Sequence, residues 1–270
     1  SAIFIDDIIS KVKNCYIGCH ISAVAVSIIM YADDIVLMAP SIESLQSLLS
    51  YMEGLLDDLD MRINSSKSVW MRFGCRFDVT CASLTMQNGD TLSWVASCRY
   101  LGAYFVSARI LKCSFENAKR KFFRSFNAIY CKVGRFASEE VVLDLLSTKC
   151  LPVLLYATEA CPMNSRDKGS LDFTVNRIFM KLFRTGSISV VEECQRCFSF
   201  LPVKRQIDTR IAKFMQKFSA SENSICQLFA GQARRQLDNI RSAYQLSHLN
   251  TANEIGRAIA RNFYELDNYA

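Results

Sequence analysis

Apolar residues recur along this chain in two rhythms, and the change between them divides it. Up to about residue 108 the apolar runs are short, β-branched and bounded by turn residues; from Ser114 onward apolar positions return every three or four residues. Residues 2–12 predict an early helix, with Ile5, Ile8 and Ile9 on one side and no N-cap before it. Two β-branched runs, residues 24–30 and 35–38, flank Tyr31-Ala32-Asp33-Asp34, the pattern of a buried β-hairpin with an acidic pair at its tip. Pro40 and Ser41 then open a helix whose Leu45, Leu48, Leu49, Met52, Leu56 and Leu59 follow helical spacing and should pack on the sheet. Residues 69–73 predict a short strand, and residues 84–87 and 91–95 a hairpin closed by Asn88-Gly89, a pair that favours a two-residue type I′ turn.

In the second part Phe115, Ala118, Phe122, Phe126 and Ile129 fall on one helical face, and Gly134 is placed to stop that helix. Ser138 followed by Glu139 and Glu140 starts another. Pro152, Pro162 and Pro202 break the remainder into short helices, of which residues 165–183 and 203–218 carry clear apolar stripes. The fold class expected is therefore α+β, with β-hairpins and a packing helix first and helices after.

Composition adds a polarity. Residues 1–108 hold seven basic and eleven acidic side chains, a net of −4, and the rest holds 25 against 15, a net of +10. A protein that holds metal ions with carboxylates and a phosphate backbone with cations has this polarity, although many others share it. No apolar stretch is long enough to span a bilayer, and residues 21–32 end at Asp33 and Asp34, so no membrane partner is expected. The twelve cysteines lack disulfide-type spacing, and most are predicted to be small core residues in a reducing compartment, the nucleus or cytoplasm. Cys194-Gln195-Arg196-Cys197 lacks two further ligands for structural zinc, since the histidines are His20 and His248 alone; Cys15, Cys19 and His20 read as core packing.

Two adjacent carboxylates at a hairpin tip repel one another and carry a desolvation cost, which a divalent cation relieves. Asp33 and Asp34 are thus candidate metal ligands; the alternative is a solvated turn. These residues, with Asn64-Ser65-Ser66-Lys67-Ser68, Arg99-Tyr100-Leu101-Gly102, Ala137-Ser138-Glu139-Glu140-Val141-Val142 and Lys149-Cys150-Leu151-Pro152-Val153-Leu154-Leu155-Tyr156 in the same order, resemble the reverse transcriptases of non-LTR, LINE-type retrotransposons, especially the CR1-like ones. The resemblance runs through about Phe218 and implies a partial polymerase palm over residues 1–108, a helical thumb over 109–161 and a helical C-terminal extension over 162–270.

It also implies roles. Asp33 would be the firmest ligand for Mg²⁺ (or Mn²⁺), with Asp34 weaker. Lys67 would neutralise the departing pyrophosphate, although as a bare residue it reads as a solvated loop cation. Asp60 and Met61 stand where the family's loop usually begins with glycine and leucine. Tyr31 and Asn64 would lie against the incoming dNTP or primer, and Tyr100 and Gly102 would place the primer end, or else pack a strand at a bend. Partners implied are an RNA template with its DNA primer, dNTPs, and the upstream palm and fingers portion of the same polyprotein. The family's first catalytic aspartate precedes a segment like residues 2–9. The chain is accordingly expected to lack it, with Asp6 and Asp7 on a solvated helix face unable to replace it.

The basic half offers one further surface. The apolar face of the helix after Ser114 leaves Asn117, Arg120, Arg124 and Asn127 on the opposite side, flanked by Lys121, at a spacing that suits successive phosphates of a duplex. Two functions follow: a portion of an RNA-directed DNA polymerase working by two-metal nucleotidyl transfer and inactive alone, or a non-catalytic remnant that binds nucleic acid.

Overall fold

The computed structural model describes residues 2–134, 136–247 and 251–265. It divides into two compact units, residues 1–100 with 105–111 and residues 101–104 with 112–270. Its mixed α+β make-up, small sheets followed by helices, is the one the apolar rhythm predicts.

The first unit opens with α1 (Ala2–Asn14), then β1 (His20–Ile21) and β2 (Val24–Ala25), then the hairpin of β3 (Ile28–Tyr31) and β4 (Asp34–Leu37). The strand expected over residues 24–30 is split. Its first two residues fold back on β1, in register His20 with Ala25 and Ile21 with Val24, and β3 starts only at Ile28. Periodicity shows apolar character but not partner choice, and β1, with both residues exposed, is too polar and short to announce itself.

Helix α2 (Ile42–Asp57) is capped by Ser41, whose Oγ accepts the Ser44 N–H at 3.1 Å. Its apolar residues spread over an arc wide enough to serve two clusters. Leu48, Met52 and Leu56 meet Ile8 and Val12 of α1 and Ile28 of β3, while Leu49 meets Trp70, Leu84, Met86 and Leu92. The second cluster belongs to a three-stranded sheet of β5 (Val69–Trp70), β6 (Leu84–Thr85) and β7 (Thr91–Trp94), in the order β5-β7-β6, with β5 parallel and β6 antiparallel to β7. The predicted 69–73 strand shortens to two residues.

The β6–β7 turn also differs from expectation. Leu84 pairs with Leu92 and Thr85 with Thr91, Met86 N–H donates to Asp90 C=O, and of Asn88 and Gly89 only Gly89 has positive φ (+87°). The loop is therefore the three residues 87–89, the type I turn with a left-handed glycine. Asn88, outside the left-handed region, donates to the Asp90 carboxylate and accepts the Asp90 N–H through its side chain. Strands β8 (Ser97–Tyr100), β9 (Ala103–Val106) and β10 (Lys112–Cys113) carry the chain into the second unit.

That unit is helical: α3 (Glu116–Val133), α4 (Glu139–Leu145), α5 (Leu151–Leu154), α6 (Ser165–Leu182), α7 (Ile188–Cys197), α8 (Val203–Ser219), α9 (Ser224–Ala243) and α10 (Ala252–Tyr264). The stops near residues 183 and 218 and the cap at Ser138 fall where the sequence places them, and Asn164 caps α6. One core, from Phe122 and Phe126 through Leu171, Phe179 and Ile207 to Ile255 and Ile259, binds these helices together. Pro152 does not break the chain as expected. Residues Leu146–Cys150 form a π-helical turn, Leu151 N–H reaching back to Leu146 C=O, and Pro152 sits in the first turn of α5. A widened turn accommodates a ring that has no N–H and would clash with the carbonyl four residues earlier.

Candidate active site and nucleic-acid interface

The hairpin places its acids as the apolar flanks require. Ile28 pairs with Leu37, Ile29 with Val36, Met30 with Ile35 and Tyr31 with Asp34, leaving Ala32 and Asp33 as a two-residue turn. Ala32 has a φ of +52°, the left-handed region that non-glycine residues seldom occupy, at a cost of roughly 1 kcal/mol or more. Nothing in the tetrapeptide announces that strain. Both carboxylates are exposed, as is Tyr31 at 66%. Their surroundings are solvent, not the buried tip that sequence suggested, because the burial of this hairpin lies at Ile28, toward α1 and α2.

Two hard oxygen donors side by side suit Mg²⁺, which commonly takes one or two carboxylates and completes its shell with water and substrate phosphates. The pair thus fits one such ion. Among the described residues no three His, Cys, Asp or Glu side chains converge on a common point. Cys15 turns its thiol to the Val12 carbonyl, His20 stacks on Tyr16 at 6.1 Å, and Cys197 is exposed while Gln195 bonds Asn176 at 2.9 Å. His248 lies outside the described residues.

Tyr100 belongs to the same unit. Its hydroxyl is sealed from solvent and has no hydrogen-bond partner among the described residues. Burial, with the negative charge of Asp34 adding to it, pushes the phenol above its ordinary range. Asn64 is spent locally: its Oδ1 accepts from Ser66 Oγ at 2.7 Å and from Lys67 N–H at 3.1 Å, so it shapes the loop that displays Lys67. The Lys67 side chain is exposed, with no bond to another described residue.

In the second unit, Gly102 adopts φ +84°, and a Cβ there would lie 2.7 Å from the Tyr156 ring, whose hydroxyl donates to the Leu101 carbonyl at 2.8 Å. The glycine is needed for both conformation and room. Gly102→Ala is expected to destabilise the protein by about 1–3 kcal/mol, read as a lowered denaturation midpoint, and an unchanged midpoint would show that the turn and Tyr156 move aside freely.

Along α3, Phe122 and Phe126 are buried, and Arg120, Lys121, Arg124 and Asn127 are exposed without ion pairs or hydrogen bonds among the described residues; Asn117 is half-buried. Lys119 lies off this row, paired with Glu116 and bonded to Ser170. Where α3 ends, α4 begins and α6 ends, a cavity of about 390 Å³ opens, its wall including Tyr130, Glu139, Lys181 and Arg184. Sequence spacing did not bring these residues together, because they come from three elements; an exposed aromatic beside it, Phe136, was visible only as one phenylalanine among eighteen.

Residues 1–105 match the family model described as reverse transcriptase (RNA-dependent DNA polymerase), a segment that contains the hairpin, the Asn64–Lys67 loop and Tyr100. No curated protein matches the chain. Among the described residues no helix is long and apolar enough to cross a membrane.

Proposed function

We propose that this chain is the palm and thumb portion of an RNA-directed DNA polymerase from a non-LTR retroelement of LINE, CR1-like type, acting on dNTPs and an RNA template with its DNA primer. The observation that carries the reading is the Tyr31–Asp34 hairpin with both carboxylates at its tip, inside the segment similar to reverse transcriptases. Asp33 and Asp34 would hold Mg²⁺ or Mn²⁺, whose contribution is charge stabilisation of the attacking and leaving oxygens. Lys67, displayed by its loop, would neutralise pyrophosphate, while Tyr31, Asn64, Tyr100 and Gly102 would order the nucleotide and primer end. Residues 1–108 would be palm, 109–161 thumb and 162–270 extension. Twelve free cysteines support a reducing compartment, nucleus or cytoplasm.

Terbium(III), a hard cation whose emission is sensitised by a nearby phenol, tests the site, since Tyr31 pairs with Asp34 across the hairpin. Emission is expected from the parent, displaced by Mg²⁺ and abolished in Asp33→Ala; equal emission from both chains would sink the metal reading. A two-metal site also needs a carboxylate beyond the pair, which the described residues do not place there. Primer extension by this chain alone is therefore expected to be no faster than by Asp33→Ala, and rapid extension by the parent would show that the pair suffices. The second reading, a non-catalytic binder, is favoured by the basic face of α3, which needs no metal.

A further inference from the structure

The turn between α3 and α4 displays Phe136 with 91% of its surface exposed. Its backbone is nonetheless held in place. The N–H groups of Phe136 and Ala137 both donate to the Val133 carbonyl, at 3.0 and 2.8 Å, Ala137 packs on the helical core, and Ser138 caps α4. A ring whose own backbone N–H is bonded in this way loses little backbone freedom when something stacks on it.

The cavity of about 390 Å³ adjoins this turn, for Gly134 and Ala137, on either side of it, line the wall. Lys181 and Arg184 contribute two cations from the end of α6, and Lys181 is steadied over the Tyr130 ring at 4.6 Å. Glu139 is the acid on the wall, at the start of α4. A phosphate is therefore drawn to the α6 side, and the carboxylate opposite can accept from an exocyclic amine. The volume is of the order of one nucleotide. The exposed Arg120, Lys121, Arg124 and Lys132 lie along α3, whose C-terminal end supplies Tyr130 to the same wall.

We propose that this corner of the helical unit binds single-stranded nucleic acid, with one base stacked on Phe136 and its phosphate held by Lys181 and Arg184. An aromatic platform beside a cationic groove is how proteins hold unpaired strands without reading their sequence, because every base has a π face. The cations of the cavity wall and of α3 disfavour a purely apolar partner. The inference rests on the reading as a polymerase portion and deepens it, adding an unpaired strand to the duplex assigned to α3.

Fluorescence anisotropy of the full chain with a labelled dT₁₂ or rU₁₂ oligomer and with a blunt duplex tests it. Phe136→Ala is expected to lower single-strand affinity about tenfold and leave blunt-duplex affinity unchanged. Arg184→Ala should lower it too and reduce the slope of log affinity against log salt by about 0.7. Phe136→Trp should restore affinity, and its emission, after subtraction of the parent's, should be quenched on binding. Because Phe136 touches little, the Ala variant should keep the parent's circular dichroism. A folded Phe136→Ala chain with the parent's single-strand affinity, or an unquenched tryptophan at saturation, would overturn the proposal. A parent that binds duplex but not the oligomers would overturn this inference and leave the polymerase reading standing, whereas a parent that binds neither would overturn both.

Discussion

Changing Arg120 and Arg124 together to alanine is expected to weaken duplex binding roughly fiftyfold at 0.1 M salt and to flatten its salt dependence by nearly two units of log–log slope. The figures follow from counterion release, about 0.9 in slope for each phosphate contact on B-form DNA and so close to one log unit of affinity per contact at that concentration. Both guanidinium groups lie on the exposed side of α3, opposite the buried Phe122 and Phe126, and neither is paired within the described residues. Their charge is thus available to a phosphate. The loss should be equal across unrelated sequences, since backbone contacts carry no base information. Stability should change by less than about 0.5 kcal/mol, because neither residue caps or packs anything. Binding isotherms at several salt concentrations measure the effect. A folded variant with the parent's affinity and slope would mean that this face is merely solvated.

The second large effect is on stability. Phe179→Ala is expected to destabilise the helical unit by about 3–5 kcal/mol, the cost of lost transfer energy plus the cavity left in a close-packed site. Phe179 is fully buried, meets Phe200 edge-on at 4.9 Å and stacks on Phe183 at 6.0 Å. The same change at Phe173, on the same helix but 52% exposed, should stay within about 0.5 kcal/mol. Denaturant unfolding followed by circular dichroism compares the two. Equal midpoints for both variants would show that α6 does not carry the core as its burial implies.

That contrast on one helix illustrates how much of the molecule was legible in its sequence. The helical stripes were, because a period of 3.6 residues identifies an amphipathic surface before its partner is known. So were the caps at Ser41 and Ser138 and the acidic turn between two apolar strands, which are local choices of residue type. Strand pairing was less so. Sequence gave no sign that residues 24–25 turn back on His20–Ile21, or that Val69–Trp70 runs parallel to β7, because pairing is decided by distant backbone. The chemistry at Asn88-Gly89 shows a subtler limit. The dipeptide favours one turn, but the register of Leu84 with Leu92 leaves three residues to close, and only Gly89 then needs positive φ.

For the candidate site, residue types alone determined that Asp33 and Asp34 sit together at a hairpin tip and that Arg120, Lys121 and Arg124 share a helix face, since both follow from spacing of a few residues. Tertiary structure decided what each can do. It exposed the acids, strained Ala32, sealed the Tyr100 hydroxyl, committed Asn64 to its own loop and required a glycine at 102 by setting the Tyr156 ring against it. It also brought Lys181 and Arg184 to one cavity wall with Gly134 and Ala137, residues some fifty positions apart. Local patterns encode periodicity and charge; burial, strain and the convergence of distant side chains depend on how the elements pack, which no short stretch of sequence specifies.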